Sequence, residues 1–449
     1  MMDVYINSLG RFLPGAPISN DAMEDFLGVL GERGSRVKHR ILKENGIVQR
    51  FYALDKNQKT LIKNSEMAAR AVEMALERAA LDPKQVQYLA AATSQADYPL
   101  PGFGSQVHSH LEIDAPEIAS FQSICSSSMM AIKGAYLQIK TGEARAAVAC
   151  ASEMPSRLFK ASRFKSQREF KEKGRMPYDT EFLRWMLSDG AGACVLQDRP
   201  REKGPSLKVE WIDIRSFANK YPMCMYVGPA KSREGNLDDS WLNRPSYEEA
   251  AYEGFINLRQ DVRLLPEMVK IGVEVYFDLI SKGRFKVHEI DYLVAHYSSE
   301  IFKKPIQELM ERGGGRIPQE KWFTNLHTKG NTGAASILIM LEELFHEHRL
   351  TPGQKILCMV PESGRFIVSF MLLTVVGEAP AVAFRQADAA QPVMEPQAPV
   401  LNCGTGPHQQ KLVRELTQVW IDFEREINRI PLISRLKYGG FSVDDYRLL

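Results

Sequence analysis

The sequence predicts an α/β protein built from two related halves. From Val4 to about Val376, short β-branched or apolar runs alternate with longer segments of helical period, the pattern of sheets covered by helices. Two blocks also repeat each other. Pro83 to Gln87 leads into Tyr88-Leu89-Ala90-Ala91-Ala92, and Val287 to Asp291 leads into Tyr292-Leu293-Val294-Ala295-His296, each after a helical segment. With 449 residues, 44% hydrophobic and 25% charged, the chain has enough apolar material for several domains' worth of core.

Along the chain, Met67, Ala71, Met74 and Ala75 fall on one face of a helix expected over Ser65 to Ala80, and a buried strand follows over Val86 to Ala92. An apolar strand through Phe121 passes by way of Ser123-Ile124-Cys125-Ser126 into a second helix. Asp189 to Ala193 reads as a turn of close-packed backbone before a strand over Cys194 to Leu196. Asp198 to Pro205, charged and with two prolines, is the expected connection between the halves.

Tyr221 to Tyr226 either lines an acyl tunnel or fills core, and core filling is the preferred reading. Met268 to Ile280 is the next helix, and Gly330 to Ser336 opens another through Ile337 to Phe345. Strands over Lys355 to Val360 and Ile367 to Val376 need a tight turn between them. The expected domains are therefore 1–200, 201–377, an Ala, Pro and Gln-rich linker over 378–410, and a helical extension over 411–449 with one apolar face.

Composition excludes several classes of function. Fifty-seven Lys and Arg against 55 Asp and Glu leave +2, no field to hold nucleic acid or an anionic membrane. Six cysteines lie at least 25 residues apart, with no spacing suited to zinc, so reduced thiols and no metal are expected. No basic and apolar leader and no membrane-length apolar run is present, so a cytoplasmic protein is expected.

Three positions carry candidate chemistry. Cys125 falls at the start of the second helix, where unpaired N–H groups and the helix dipole lower a thiol's pKa and make a nucleophile. A buried structural cysteine beside a serine cap fits the same segment. His296 ends a strand, where side chains leave an α/β sheet toward a crevice, and it is either a proton carrier or a hydrogen-bonded structural residue. Asn331, opening a helix among small residues, is either an anion ligand or a cap. Gly364 either offers its N–H to an oxyanion or simply makes the turn.

In order, Leu13-Pro14, Ile18-Ser19-Asn20, Asn45-Gly46-Ile47-Val48-Gln49-Arg50, the Cys125 elbow, Asp189 to Ala193, His296 and Gly330 to Ser336 resemble the ketosynthase III branch of the thiolase-fold condensing enzymes. The resemblance spans about residues 2 to 376. It implies a duplicated five-layered α/β/α/β/α fold, usually a homodimer, with Cys125, His296 and Asn331 as catalytic set and the N–H groups of Cys125 and Gly364 as oxyanion hole. It also implies substrates on the phosphopantetheine of an acyl carrier protein or coenzyme A, with no cofactor. The reaction implied is loading of an acyl thioester on Cys125, then decarboxylative Claisen condensation with a malonyl-type or 3-oxoacyl carrier-protein thioester.

Two departures mark a specialised, secondary-metabolism member. Arg40 to Asn45 lacks the Trp and Arg that clamp adenine in housekeeping members, and Pro361 to Phe366 replaces their glycine-rich turn. Pro155 to Arg175 holds eight Lys or Arg, among them Arg157, Lys160, Arg163 and Lys165, against Glu169 and Glu172. With Lys303 and Lys304 these are candidates for gripping an acidic carrier protein, or a solvated surface. Two other functions stay open: acyl transfer from Cys125 to an alcohol or amine, and a non-catalytic assembly partner. Leu412 to Leu449 weakly resembles the opening helices of haem-oxygenase-like di-iron oxidases, without their Glu and His ligands.

Overall fold

Strand pairing repeats along the chain with the same order and sense in each half. The computed structural model describes residues 2–31, 34–232, 235–237 and 239–377; the expected linker 378–410 and extension 411–449 lie outside the described residues. Ten strands make the framework: β1 (Tyr5–Phe12), β2 (Tyr88–Thr93), β3 (Glu117–Gln122), β4 (Ala146–Glu153), β5 (Gly190–Gln197), β6 (Ser206–Ser216), β7 (Tyr292–Ala295), β8 (Trp322–Phe323), β9 (Lys355–Glu362) and β10 (Ile367–Val376). Five longer helices accompany them: α1 (Asn64–Ala79), α2 (Ser127–Thr141), α3 (Leu265–Ser281), α4 (Lys303–Arg312) and α5 (Ser336–Glu347).

The hydrogen-bonded order is β8-β7-β9-β10-β6-β1-β5-β4-β2-β3. Read outward from its middle, each half runs first, fifth, fourth, second, third strand. The first two pairings are antiparallel and the last two parallel in both halves. Within the sheet the halves are joined by the pairs Tyr5 with Lys208 and Ile6 with Leu207.

Side-chain alternation turns this order into layers. On β4, Ala147, Ala149 and Ala151 face one core while Val148 and Cys150 face another; on β9, Ile356, Cys358 and Val360 divide likewise from Leu357 and Met359. The shared middle core holds α2 and α5 between the two sheet halves. The outer faces are closed by α1 on one side and by α3 and α4 on the other, completing five layers. Each fully buried leucine of the middle layer, such as Leu338, stabilises by roughly 1.5–3 kcal/mol.

The expected turn over Asp189 to Ala193 is corrected: Gly190 to Ala193 belong to β5. Their small side chains serve packing, since a Cβ at Gly192 would stand 2.6 Å from that of Leu338 on α5. Asp189 is buried and accepts from the Ala53 and Ser156 N–H groups at 2.7 and 3.0 Å, a structural role. No described helix is long and apolar enough to cross a membrane.

Candidate active site

The parallel strands β2, β4, β7 and β9 all end toward the starts of α2 and α5, and the candidate residues gather there. Cys125 lies in the turn between β3 and α2, with Ser126 as the helix cap. It is buried, and burial pushes its thiol well above the ordinary range, with the Glu362 and Glu153 carboxylates pushing the same way. The helix N-terminus, expected to lower this thiol's pKa, is thus opposed by burial and by two acids. The positive end of α2 already holds a carboxylate: Glu362 accepts from the Ile124 and Ser126 N–H groups at 3.1 and 2.8 Å and from the Ser123 hydroxyl at 2.6 Å.

His296 follows β7 on the same parity as Val294, which faces the middle core, and its N–H is held by the Met359 carbonyl at 2.9 Å. The ring is buried and its Nε2 has no hydrogen-bond partner. Burial lowers its pKa to about 4, so the imidazole is neutral at pH 7. Asn331 is buried and tied to the segment that follows His296: its Nδ2 donates to the Ser298 carbonyl at 3.4 Å. Its Oδ1 accepts from the Gly333 N–H at 3.0 Å, so it caps the start of the following helical turn while its amide is held only by one long bond.

Cys125 and Asn331 line one cavity of about 420 Å³, together with Tyr297 and Ser298, the two residues after His296. Much of its wall is methionine: Met154, Met186, Met223, Met225, Met268 and Met359. Tyr221 to Tyr226, read from sequence as core filling, thus supplies part of the wall, a second correction. At Ser363 and Pro361 the late turn borders the cavity. Gly364 packs behind them, where a Cβ would lie 3.0 Å from both Ile124 and the Glu362 carboxylate, and its carbonyl accepts from the Cys224 N–H at 2.8 Å.

The basic residues divide into tethered and exposed. Arg157 lines the cavity but is committed to Asp97 at 2.8 Å and to the Gln95 and Ala96 carbonyls, which makes it a brace for that loop. Lys160 reaches the Thr60 hydroxyl at 3.2 Å, and Lys303 pairs with Glu300 at 3.3 Å. Arg163 and Lys165 are exposed, and the Lys304 side chain is 80% exposed beside Glu308.

Sequence reasoning missed both Glu153 and Glu362. Glu153 ends β4, lines the cavity, and accepts from the Ser94 N–H at 2.8 Å and hydroxyl at 2.5 Å. Burial raises its pKa to about 7 against these hydrogen bonds and one from the Ala334 N–H. Glycine at 333, with φ of +55°, lets the backbone approach it: a Cβ would stand 3.0 Å from Glu153 Cγ. Sequence offered no usable signal, for a glutamate that closes an apolar strand is ordinarily exposed and only the fold buries Glu153. Among the described residues no group of three or more His, Cys, Asp or Glu is placed to hold a metal ion.

Comparison with known proteins agrees with this arrangement. The model of the β-ketoacyl synthase N-terminal domain matches residues 35–201, which include Cys125 and Glu153. That of the 3-oxoacyl-acyl-carrier-protein synthase III C-terminal domain matches 280–372, which include His296, Asn331 and Glu362. A β-ketoacyl-acyl-carrier-protein synthase III of Clostridium perfringens is 24% identical over 358 residues, 80% of this chain and 95% of the relative. Among solved structures, that of 3-oxoacyl-acyl-carrier-protein synthase III from Aquifex aeolicus superposes with a TM-score of 0.61 at 21% identity, over 83% of this chain and 99% of that one. OleA of Xanthomonas campestris gives 0.64 at 20%, over 83% and 98%. The tetronic acid condensing enzyme AbyA1 gives 0.62 at 21%, over 82% and 99%. With duplicated halves, a buried cysteine at the α2 start and both domain models in order, the chain belongs to the 3-oxoacyl-acyl-carrier-protein synthase III-like condensing enzymes of the thiolase fold.

Proposed function

We propose that this protein is a decarboxylative condensing enzyme that carries its acyl group on Cys125. The observation that carries the reading is the convergence of Cys125 and Asn331 on one methionine-lined cavity; His296 does not line it, but the next two residues do, and its buried Nε2 is unpaired among the described residues. Cys125 attacks the thioester carbonyl as a thiol that gives up its proton, and neutral His296 is the base that can take it. The carrier thiol leaves with a proton, and the acyl group stays on sulfur.

A malonyl-type thioester then loses carbon dioxide. The electrons of the broken bond pass into the thioester as an enolate, and donors at His296 and the Asn331 amide stabilise that charge. The carbanion attacks the acyl thioester at Cys125, whose tetrahedral oxygen is met by the Cys125 N–H and an N–H of the Ser363–Gly364 turn. The sulfur leaves as a thiolate and takes a proton from solvent, the one proton that decarboxylative condensation consumes, and a 3-oxoacyl thioester departs.

At about 30 Å³ for a water-sized group, the cavity has room for roughly a dozen non-hydrogen atoms. Such a volume favours a starter longer than acetyl, and flexible methionines suit several chain lengths. For the carrier protein, the exposed Arg163, Lys165 and Lys304 are the cations that face solvent, Lys304 paired loosely with Glu308 at 3.5 Å, whereas Arg157 is held by Asp97 and Lys303 by Glu300. A homodimer fits the sheet edge: among the described residues β3 pairs only with β2, and Tyr98 and Leu100 stand 50% and 84% exposed in the loop that follows β2. Light scattering that gives one chain's mass at micromolar concentration would remove the dimer from this reading.

The function is tested by incubating the protein with acyl thioesters of graded length on carrier protein and coenzyme A and recording its intact mass. A gain absent from Cys125→Ala is expected, largest for medium-length chains. No gain from any donor would reject the enzymatic reading.

A further inference from the structure

The two carboxylates missed in the sequence occupy one structural position twice. Tyr88 of β2 opposes Ala147 of β4, and Tyr292 of β7 opposes Ile356 of β9; counting the same six residues onward gives Glu153 and Glu362. Alternation places both on the middle-core face, since Ala151 and Val360 precede them by two. Each reaches the helix start of the opposite half. Glu362, from the second half, takes the Ile124 and Ser126 N–H groups on either side of Cys125, whereas Glu153, from the first, takes the Ala334 N–H beyond Asn331.

Helix starts carry unpaired N–H groups and partial positive charge, so they are where a thiolate or an enolate would be stabilised. Here α2 meets a fixed carboxylate instead. We propose that Glu362 and Glu153 are positioning residues exchanged between the halves, which clamp the Cys125 turn against the Asn331 turn and keep Cys125 a thiol until an acyl donor is bound. Glu362 contributes the larger part, through three hydrogen bonds to the turn that contains Cys125.

The other titratable groups lining the same cavity are Arg157, held by Asp97, and Tyr226 and Tyr297, whose phenols burial pushes up and so keeps neutral; His296, just before Tyr297, is neutral as well. Burial raises the pKa of both glutamic acids, Glu153's to about 7, so their push on the thiol is fullest in the alkaline range where the thiol itself titrates. A protonated resting thiol resists oxidation and stray electrophiles, since the thiolate is the reactive form. The inference rests on the reading of Cys125 as nucleophile, but its test does not require turnover.

The measurement is the rate of Cys125 alkylation by iodoacetamide as a function of pH, on the full chain, with peptide mapping to separate Cys125 from the other thiols. In the wild-type protein the midpoint is expected above the ordinary cysteine value of about 8.5. Glu362→Gln should move it down and speed alkylation at pH 7.5 by about tenfold, one pH unit's worth. Glu153→Gln should move it less in the same direction, and Glu362→Asp should restore the wild-type profile. A wild-type midpoint at or below 8.5 would overturn the proposal even if the Gln variants failed to fold. So would a folded Glu362→Gln variant with an unchanged profile. Failure of the catalytic reading alone would look different: no acyl adduct from any thioester, with the alkylation profiles still as expected.

Discussion

The two halves share strand order, pairing sense and a terminal carboxylate, yet they supply different chemistry at matched places. At the start of the middle-layer helix, the first half puts Cys125 and the second puts Asn331. On the second strand, with Tyr88 and Tyr292 in register, Ala92 stands in the first half where His296 stands in the second. One half thus offers a place to attach an acyl group, and the other offers donors for the charge of the incoming carbanion. Duplication fixes the backbone of both helix starts facing one cavity, and side-chain divergence on that shared frame divides the labour.

Removing the first half's contribution should have the largest effect. Cys125→Ala is expected to lower turnover by about 10³-fold or more, measured as 3-oxoacyl product by mass spectrometry, with no acyl adduct. Truncation in the second half should separate the steps. Asn331→Ala should slow condensation by roughly 10²-fold in single-turnover assays while leaving the Cys125 adduct intact, as expected for loss of a transition-state donor.

The carboxylate of the first half should be visible in stability. Folding raises the Glu153 pKa from 4.5 to about 7, so its contribution is fully present below pH 4.5 and lost as pH rises toward 7. Gln does not titrate. The stability of Glu153→Gln relative to wild type should therefore rise by on the order of 3 kcal/mol between pH 4.5 and 7, read from denaturant midpoints at each pH. A flat difference would place the carboxylate in a more solvated setting. The smallest effect is expected outside the cavity: Lys304→Glu should raise KM for a carrier-protein substrate about threefold at low salt, and the difference should fade at high salt.

Much of this comparison was legible in the sequence because its signals are local. Periodicity set α1 within one residue of its observed start, and Ile367 to Val376 matches β10. Cys125, His296 and Asn331 stood out because each sits at a change of secondary structure. What was not legible came from distant chain. The α2 start could be recognised from Ser126 to Ser128, but the carboxylate that occupies it arrives from Glu362, so the opposing push on the Cys125 thiol was not legible in the local sequence. Arg157 looked free within a basic run because Asp97, its partner, lies 60 residues earlier. Met223 and Met225 read as core because apolar side chains pack against a cavity as they pack against one another.

The most direct test of the division between halves is to load the protein with an acyl group, remove the donor, and add malonyl carrier protein while following the adduct mass and released carbon dioxide together. The account predicts that wild type loses its adduct in step with carbon dioxide release and formation of a 3-oxoacyl product, while His296→Ala and Asn331→Ala retain theirs. Discharge of the adduct to an alcohol or amine without carbon dioxide, or equal discharge by wild type and both variants, would contradict it.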